Sequence, residues 1–285
     1  DMAIEEINAA GGIFGRALEL YFEDDEGVPA SSVAAAEKLC VQDQVVAVVG
    51  AYNSACVLAH MEVTQREGVP QVDPVAFADA ITKAGNPYMF RNIPPSSIVG
   101  RKFAEFMYKE TGEAQKWVFI HENSDYGLDY LTHIKGRLEE LGVEVLTVET
   151  YNSGDTDFYA QLTKIKNLNP DAMVMISYMN EGSQIAKQRL EVGLDIPVFV
   201  TGSCATDDYF DVTGDAVDGI YTLSFLDPGT ANELANTYLE NYKAKFGDNS
   251  DTFAAATYDA VYIVAEGLKN AYIANGETWP EDLKA

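Results

Sequence analysis

Short apolar runs alternate along the whole chain with stretches in which apolar residues recur every three or four positions. The runs predict strands at 17–23, 45–49, 70–72, 88–91, 116–121, 144–150, 172–177, 198–200 and 219–222. The stripes predict helices at 31–40, 54–67, 159–168, 181–192, 232–246 and 252–271, with another between 121 and 144 and one already under way at residue 1. The run 45–49 is four valines and an alanine, the composition of a strand buried on both faces. Leu128, Leu131, Ile134, Leu138 and Leu141 are predicted to share one helix face, as are Ala254, Tyr258, Val261, Ala265 and Leu268. Ser31 and Ser32 are placed to cap the helix that follows the acidic run Glu23–Glu26. Strands alternating with helices predict an α/β fold of doubly wound parallel sheets, each covered on both faces. A chain of 285 residues has room for two such sheets. Pro94-Pro95 breaks the pattern just after the 88–91 strand and marks a candidate crossing between them.

Composition narrows the function classes. Hydrophobic residues are 47% and charged residues 22%, so a folded globular chain is expected. The net charge of −26 repels phosphate backbones, and no nucleic-acid partner is expected. No apolar stretch approaches the roughly 18 residues of a membrane span. Cys40, Cys56 and Cys204 form no CxxC pair, which excludes a zinc ribbon or a thioredoxin-type site. Their odd number fits reduced thiols, or a Cys40–Cys56 disulfide with one thiol over. The chain opens at Asp1 inside a helical pattern, so a leader and some mature residues are expected to lie outside it.

Catalytic motifs do not emerge. Gly11, Gly12 and Gly15 follow a helix rather than a strand and read as a helix end and turn, not as a dinucleotide fingerprint. Neither a phosphate-binding GxxxxGK[ST] nor a GxSxG nucleophile elbow occurs. His60, His121 and His133 do not show HExxH spacing, and Asp207, Asp208, Asp211 and Asp215 read as a solvated helix start rather than a cation loop. No cofactor and no metal are expected.

In open α/β sheets, ligands collect beyond the carboxyl ends of the strands. There the sequence places Gly50, Tyr52, Asn53 and Ser54, then Val75, Ala76 and Phe77, then Tyr126, Tyr178 and Ser203. A serine at a helix start, with free N–H groups beside it, suits an anionic oxygen. Hydroxyls and aromatic rings without a nucleophile–base pair favour holding a small molecule over transforming it.

These residues carry a family resemblance. The stretches are 3–16, Glu23-Asp-Asp25, Val46-Ala-Val-Val-Gly50 with Ser54, Gly68-Val-Pro70 and Asn86-Pro-Tyr-Met-Phe-Arg91. Asn123-Ser-Asp-Tyr-Gly127, Asp155-Thr-Asp-Phe158, Val192-Gly-Leu194 and Thr257-Tyr-Asp-Ala260 continue it over nearly the whole chain. In this order they resemble the periplasmic solute-binding proteins of ABC importers, in the leucine/isoleucine/valine-binding group. The resemblance implies two type I periplasmic-binding-protein lobes joined by a hinge, one of residues 1–93 and 227–285 and the other of 94–226, with the ligand cleft between them. It further implies a monomer, periplasmic or otherwise extracytoplasmic, that delivers its solute to a membrane permease. It implies terminal segments outside this chain: a strand and loop before the first helix, and strands after residue 285 that return across the hinge.

By the same resemblance, Ser54 and its backbone neighbours hold the ligand carboxylate, and the 75–77 loop adds backbone contacts. Tyr126 and Tyr178 close over the solute. Two positions depart from the pattern of amino-acid binders. Phe77 stands where a threonine is common, and Ser203 where an acidic residue pairs with the α-ammonium. A buried ammonium without a carboxylate costs several kcal/mol. The expected solute therefore has a carboxylate, or another polar head, and an apolar or aromatic body. An amino acid is the alternative, with Glu181 or Asp207 replacing the missing acid. The same fold serving as a ligand-sensing receptor domain is the second reading, and a doubly wound enzyme the third.

Overall fold

The structure, a computed structural model, describes residues 1–226, 229 and 232–279. The expected crossing at 227 lies outside the described residues. In chain order the helices and strands begin with α1 (Met2–Ala9), α2 (Pro29–Glu37), β1 (Val48–Val49), α3 (Ser54–Glu67), β2 (Gln71–Asp73), α4 (Ala80–Lys83) and β3 (Met89–Arg91). They continue with α5 (Ser96–Glu110), β4 (Lys116–Glu122), α6 (Asp125–Glu140), β5 (Glu144–Tyr151), α7 (Tyr159–Asn167), β6 (Ala172–Ile176) and α8 (Met179–Glu191). Last come β7 (Val198–Val200), α9 (Asp207–Thr213), β8 (Ile220–Tyr221), α10 (Glu233–Phe246) and α11 (Thr252–Ala274). No described helix is long and apolar enough to cross a membrane.

Two compact units result. Unit 1 is residues 1–94 with the chain from Tyr238 onward, and unit 2 is Pro95–Thr237. Unit 1 carries the parallel sheet β1-β2-β3, with Val48 beside Gln71 and Asp73 beside Arg91. Unit 2 carries the parallel sheet β5-β4-β6-β7-β8. All five residues of β6 are buried, as its run of apolar side chains requires. Val118, Ile120, Met173, Met175, Val198 and Val200 from three neighbouring strands share a core with Leu162 and Ile165 of α7 and Ile185 of α8. In unit 1, Val261, Ala265 and Leu268 of α11 meet Ile7, Ile13 and Leu18, as their spacing predicts.

Four local expectations are corrected. Residues 17–23 run without a strand ladder. The Asn8 side chain instead clamps Leu18, donating to its carbonyl at 2.8 Å and accepting its N–H at 2.7 Å. β1 pairs with β2 alone, and a cavity of about 330 Å³ lies between 22–25 and 48–52. A backbone without a neighbouring strand has no ladder to join. The valine run forms a strand only at Val48–Val49, because a π-helical turn over Lys38–Gln42 uses the preceding residues and the Val45 N–H bonds the Leu39 carbonyl. Pro29, not a serine, opens α2, and Ser32 is buried inside it. Leu128 is exposed, because two successive steps of three turn it about 120° away from Ile134. The buried face of α6 runs instead through Tyr126, Tyr130, Ile134 and Leu138. All three cysteines are buried thiols, and of the two alternatives Cys40 and Cys56 are not joined in a disulfide.

Ser32 serves a buried polar chain. The Gln71 amide donates to Gly50 O at 2.8 Å and to His60 Nε2, while Thr64 donates to its oxygen at 3.0 Å. His60 Nε2 is therefore the acceptor, and the proton sits on Nδ1, 2.8 Å from Ser32 Oγ. Burial pushes the imidazole down to about 4, so it is neutral in the native protein. The unfolded imidazole titrates near about 6.5. Between these values the unfolded chain holds the extra proton, so this contribution to stability is lost as pH falls from about 6.5 to about 4, by up to about 3 kcal/mol. Urea unfolding of wild type and His60→Gln at pH 7 and pH 5 reads the effect as a pH-dependent gap between the two. A gap that does not change with pH would refute the buried neutral ring.

Candidate functional site

The sequence-selected residues form one cluster in each unit. In unit 1, Ser54 is the first residue of α3 and is 1% exposed. Its Oγ accepts the Ala78 N–H at 3.2 Å, which leaves its own O–H to donate elsewhere. The helix start adds unsatisfied N–H groups and the positive end of a 14-residue dipole. Val75, Ala76 and Phe77 lie on the loop after β2 and are buried. Tyr52 is 41% exposed, and Asn53 is half-buried at the cap of α3.

Phe253 of α11 joins these segments. Its ring lies edge-on to Tyr52 at 5.4 Å and to Phe77 at 6.4 Å. Unit 1 thus sets an aromatic wall beside a hydroxyl and a helix N-terminus. The sequence reading missed Phe253. The only local signal was its position four residues before the Thr257–Ala260 motif.

The loop is held from behind. Asp73 Oδ1 accepts the Val75 N–H at 3.0 Å and the Ala76 N–H at 2.8 Å. Arg91 Nη2 donates to Ala78 O at 2.6 Å and Nη1 to Phe77 O at 3.4 Å. Arg91 Nε lies 3.6 Å from Asp73 Oδ2, with both side chains buried. Burial pushes the Asp73 carboxyl up to about 6, against the opposing pull of the two N–H groups and the guanidinium.

In unit 2, the chain order reverses between β4 and β6, where a doubly wound sheet opens a crevice at its carboxyl edge. Tyr126 follows β4 and Tyr178 follows β6. Their rings stack at 4.8 Å and 22°. The Tyr126 hydroxyl bonds Ser203 Oγ at 2.5 Å and also Thr201 Oγ1. Thr201 was not selected from sequence. Ser203 and Thr201 are both buried. Gly127 makes the turn into α6 possible, since a Cβ there would sit 1.9 Å from Glu122 O. Ser124 caps the same helix by accepting the Gly127 N–H.

The acids near this cluster have other partners. Glu181 is buried and accepts the Gly154 N–H at 2.8 Å. Asp207 is exposed in the first turn of α9. Burial, with some repulsion from Glu181, raises the Glu122 carboxyl against its bond from Ser124. His121 is structural: Nδ1 meets Glu122 O at 2.8 Å and Nε2 meets Thr150 Oγ1 at 3.0 Å. In unit 1 a serine and a helix start can hold an anionic head, and in unit 2 stacked tyrosines can hold an apolar body.

The chain matches known proteins along nearly its whole length. The family described as periplasmic binding protein matches residues 1–285. The leucine-, isoleucine-, valine-, threonine- and alanine-binding protein of Pseudomonas aeruginosa is 32% identical, over 100% of this chain and 75% of its own length. The branched-chain amino acid transporter substrate-binding protein LivJ of Streptococcus pneumoniae, solved with isoleucine, superposes with a TM-score of 0.89. It is 31% identical, with 94% of this chain and 77% of that one covered. A solute-binding protein of an R. palustris ABC transporter, solved with benzoate, gives a TM-score of 0.84 at 25% identity, covering 94% and 75%. This chain belongs to the periplasmic binding protein family, as a solute-binding protein like these relatives and not an enzyme.

Proposed function

We propose that this chain is the extracytoplasmic solute-binding component of an ABC importer. It captures a small carboxylic acid with an aromatic or apolar body by hinge closure of its two units, and delivers it as a monomer to a membrane permease. Ser54 and the α3 start receive the carboxylate. Tyr52, Phe77 and Phe253 on one side, and Tyr126 and Tyr178 on the other, receive the body of the solute. The observation that carries the choice of solute is the surroundings of Tyr126: its hydroxyl bonds Ser203 and Thr201, while Glu181 accepts the Gly154 N–H through one oxygen. Hydroxyls rather than a carboxylate thus meet the Tyr126 hydroxyl in this cluster. The benzoate complex of the R. palustris protein supports this reading. The isoleucine complex of LivJ favours an amino acid as the second reading.

A thermal-shift panel of benzoate, cinnamate, leucine and isoleucine separates the two. A solute at 100 times its dissociation constant stabilises the protein by about 2.7 kcal/mol. Benzoate or cinnamate is expected to raise Tm, and a response to the amino acids alone would overturn the choice of solute. Ser54→Ala removes one hydrogen bond to a charged group and is expected to weaken binding by roughly 10- to 100-fold in calorimetry. Unchanged affinity in that variant would remove Ser54 from the site.

A further inference from the structure

We propose that Asp73 and Arg91 are positioning residues for solute binding: as a buried latch they hold the 74–78 loop in its binding geometry from behind. The proposal rests on the reading above, in which this loop touches the solute.

Strand register brings the two together. Asp73 and Arg91 end β2 and β3 and are paired across the parallel sheet. Both project from the carboxyl edge under the same loop, and each grips a different kind of backbone group. The carboxylate takes the N–H groups of Val75 and Ala76, and the guanidinium takes the carbonyls of Phe77 and Ala78. The Ala78 N–H then bonds Ser54 Oγ. The latch therefore reaches the serine proposed to meet the carboxylate through a single residue of the loop. Five backbone groups within four consecutive residues are fixed by three side chains.

Packing alone does not call for this arrangement. An apolar pair of similar volume would fill the space without the cost of burying two charges. What the charged pair adds is definition of the loop's backbone. A loop held in one geometry keeps the binding-competent fraction near one. If removal of the latch lowers that fraction to a tenth, apparent affinity falls about tenfold with no contact to the solute lost.

Three variants of the whole chain test this: Asp73→Ala, which removes the acceptor; Asp73→Asn, which keeps an acceptor oxygen; and Arg91→Met, which keeps bulk without donors. The first readout is amide hydrogen exchange of the solute-free protein. Asp73→Ala and Arg91→Met are expected to speed exchange in a peptide spanning 74–79 at least tenfold more than in peptides from β4 and β6, while Asp73→Asn stays near wild type. The second is calorimetry with benzoate and with isoleucine. For whichever binds the wild type, affinity is expected to weaken about tenfold or more in Asp73→Ala and less than threefold in Asp73→Asn. Uniform acceleration of all peptides, or no acceleration at 74–79, would overturn the latch. So would wild-type affinity in Asp73→Ala. If neither solute binds the wild type, the choice of solute fails, and the exchange comparison still decides the latch by itself.

Discussion

Ser203→Glu is expected to reverse the solute preference of this protein. Ser203 is 3% exposed, and its hydroxyl meets that of Tyr126. A glutamate there sets a carboxylate beside the stacked Tyr126–Tyr178 pair. With benzoate bound, that carboxylate would be buried without a cation. An uncompensated buried charge costs about 3–5 kcal/mol, which corresponds to a loss of roughly 100-fold or more. With isoleucine, the same carboxylate would face an α-ammonium, and the penalty becomes an attraction. Adding Phe77→Thr supplies a hydroxyl on the loop and opens room in the wall made with Phe253. The double variant is expected to bind isoleucine more tightly than benzoate, where the wild type has the opposite order. Calorimetry with both solutes checks it. A wild type that already prefers isoleucine, or a double variant that keeps the wild-type order, would show that position 203 does not set the preference.

Arg189→Ala is expected to destabilise unit 2 by about 3–5 kcal/mol. Arg189 is fully buried on α8. Its guanidinium donates to Asp218 O at 2.6 Å, Ala216 O at 3.3 Å and Ile196 O at 3.5 Å. Burial lowers its pKa, while Asp195 and Asp218 act the other way. Truncation would leave three carbonyls unsatisfied and a cavity the size of the side chain. At roughly 2–4 °C per kcal/mol for domains of this size, Tm falls by about 6–20 °C. Arg189→Met restores volume without donors and is expected to recover only part of the loss. Scanning calorimetry of the three proteins measures this, and a loss under about 1 kcal/mol in Arg189→Ala would mean that water replaces the guanidinium at little cost.

Both residues show the limits of the sequence. Ser203 stood out because it follows a strand, where a ligand is expected. Arg189 did not, because nothing in a helical stripe marks one arginine as buried. The same contrast runs through unit 1. Ser54 was legible from a valine run, a glycine turn and a helix start in succession. Asp73 and Arg91 were not. Their partnership exists only because β2 and β3 lie side by side in one register. Phe253 is brought to Tyr52 and Phe77 by a helix from the far end of the chain.

The sequence by itself determined the alternation of strands and helices, the parallel α/β class and the family. These rest on local periodicity and on motifs in a fixed order, which are properties of neighbouring residues. Only the tertiary structure decided which runs become strands, which helix face is buried, and which polar side chains hold a loop. Residues 17–23 have the composition of a strand, yet Asn8 clamps Leu18 among them and no described strand pairs with them. Tyr126 and Tyr130, not Leu128, set the buried face of α6. A strand is completed by its neighbour and a buried charge by its partner, and both lie at distances along the chain that periodicity does not encode.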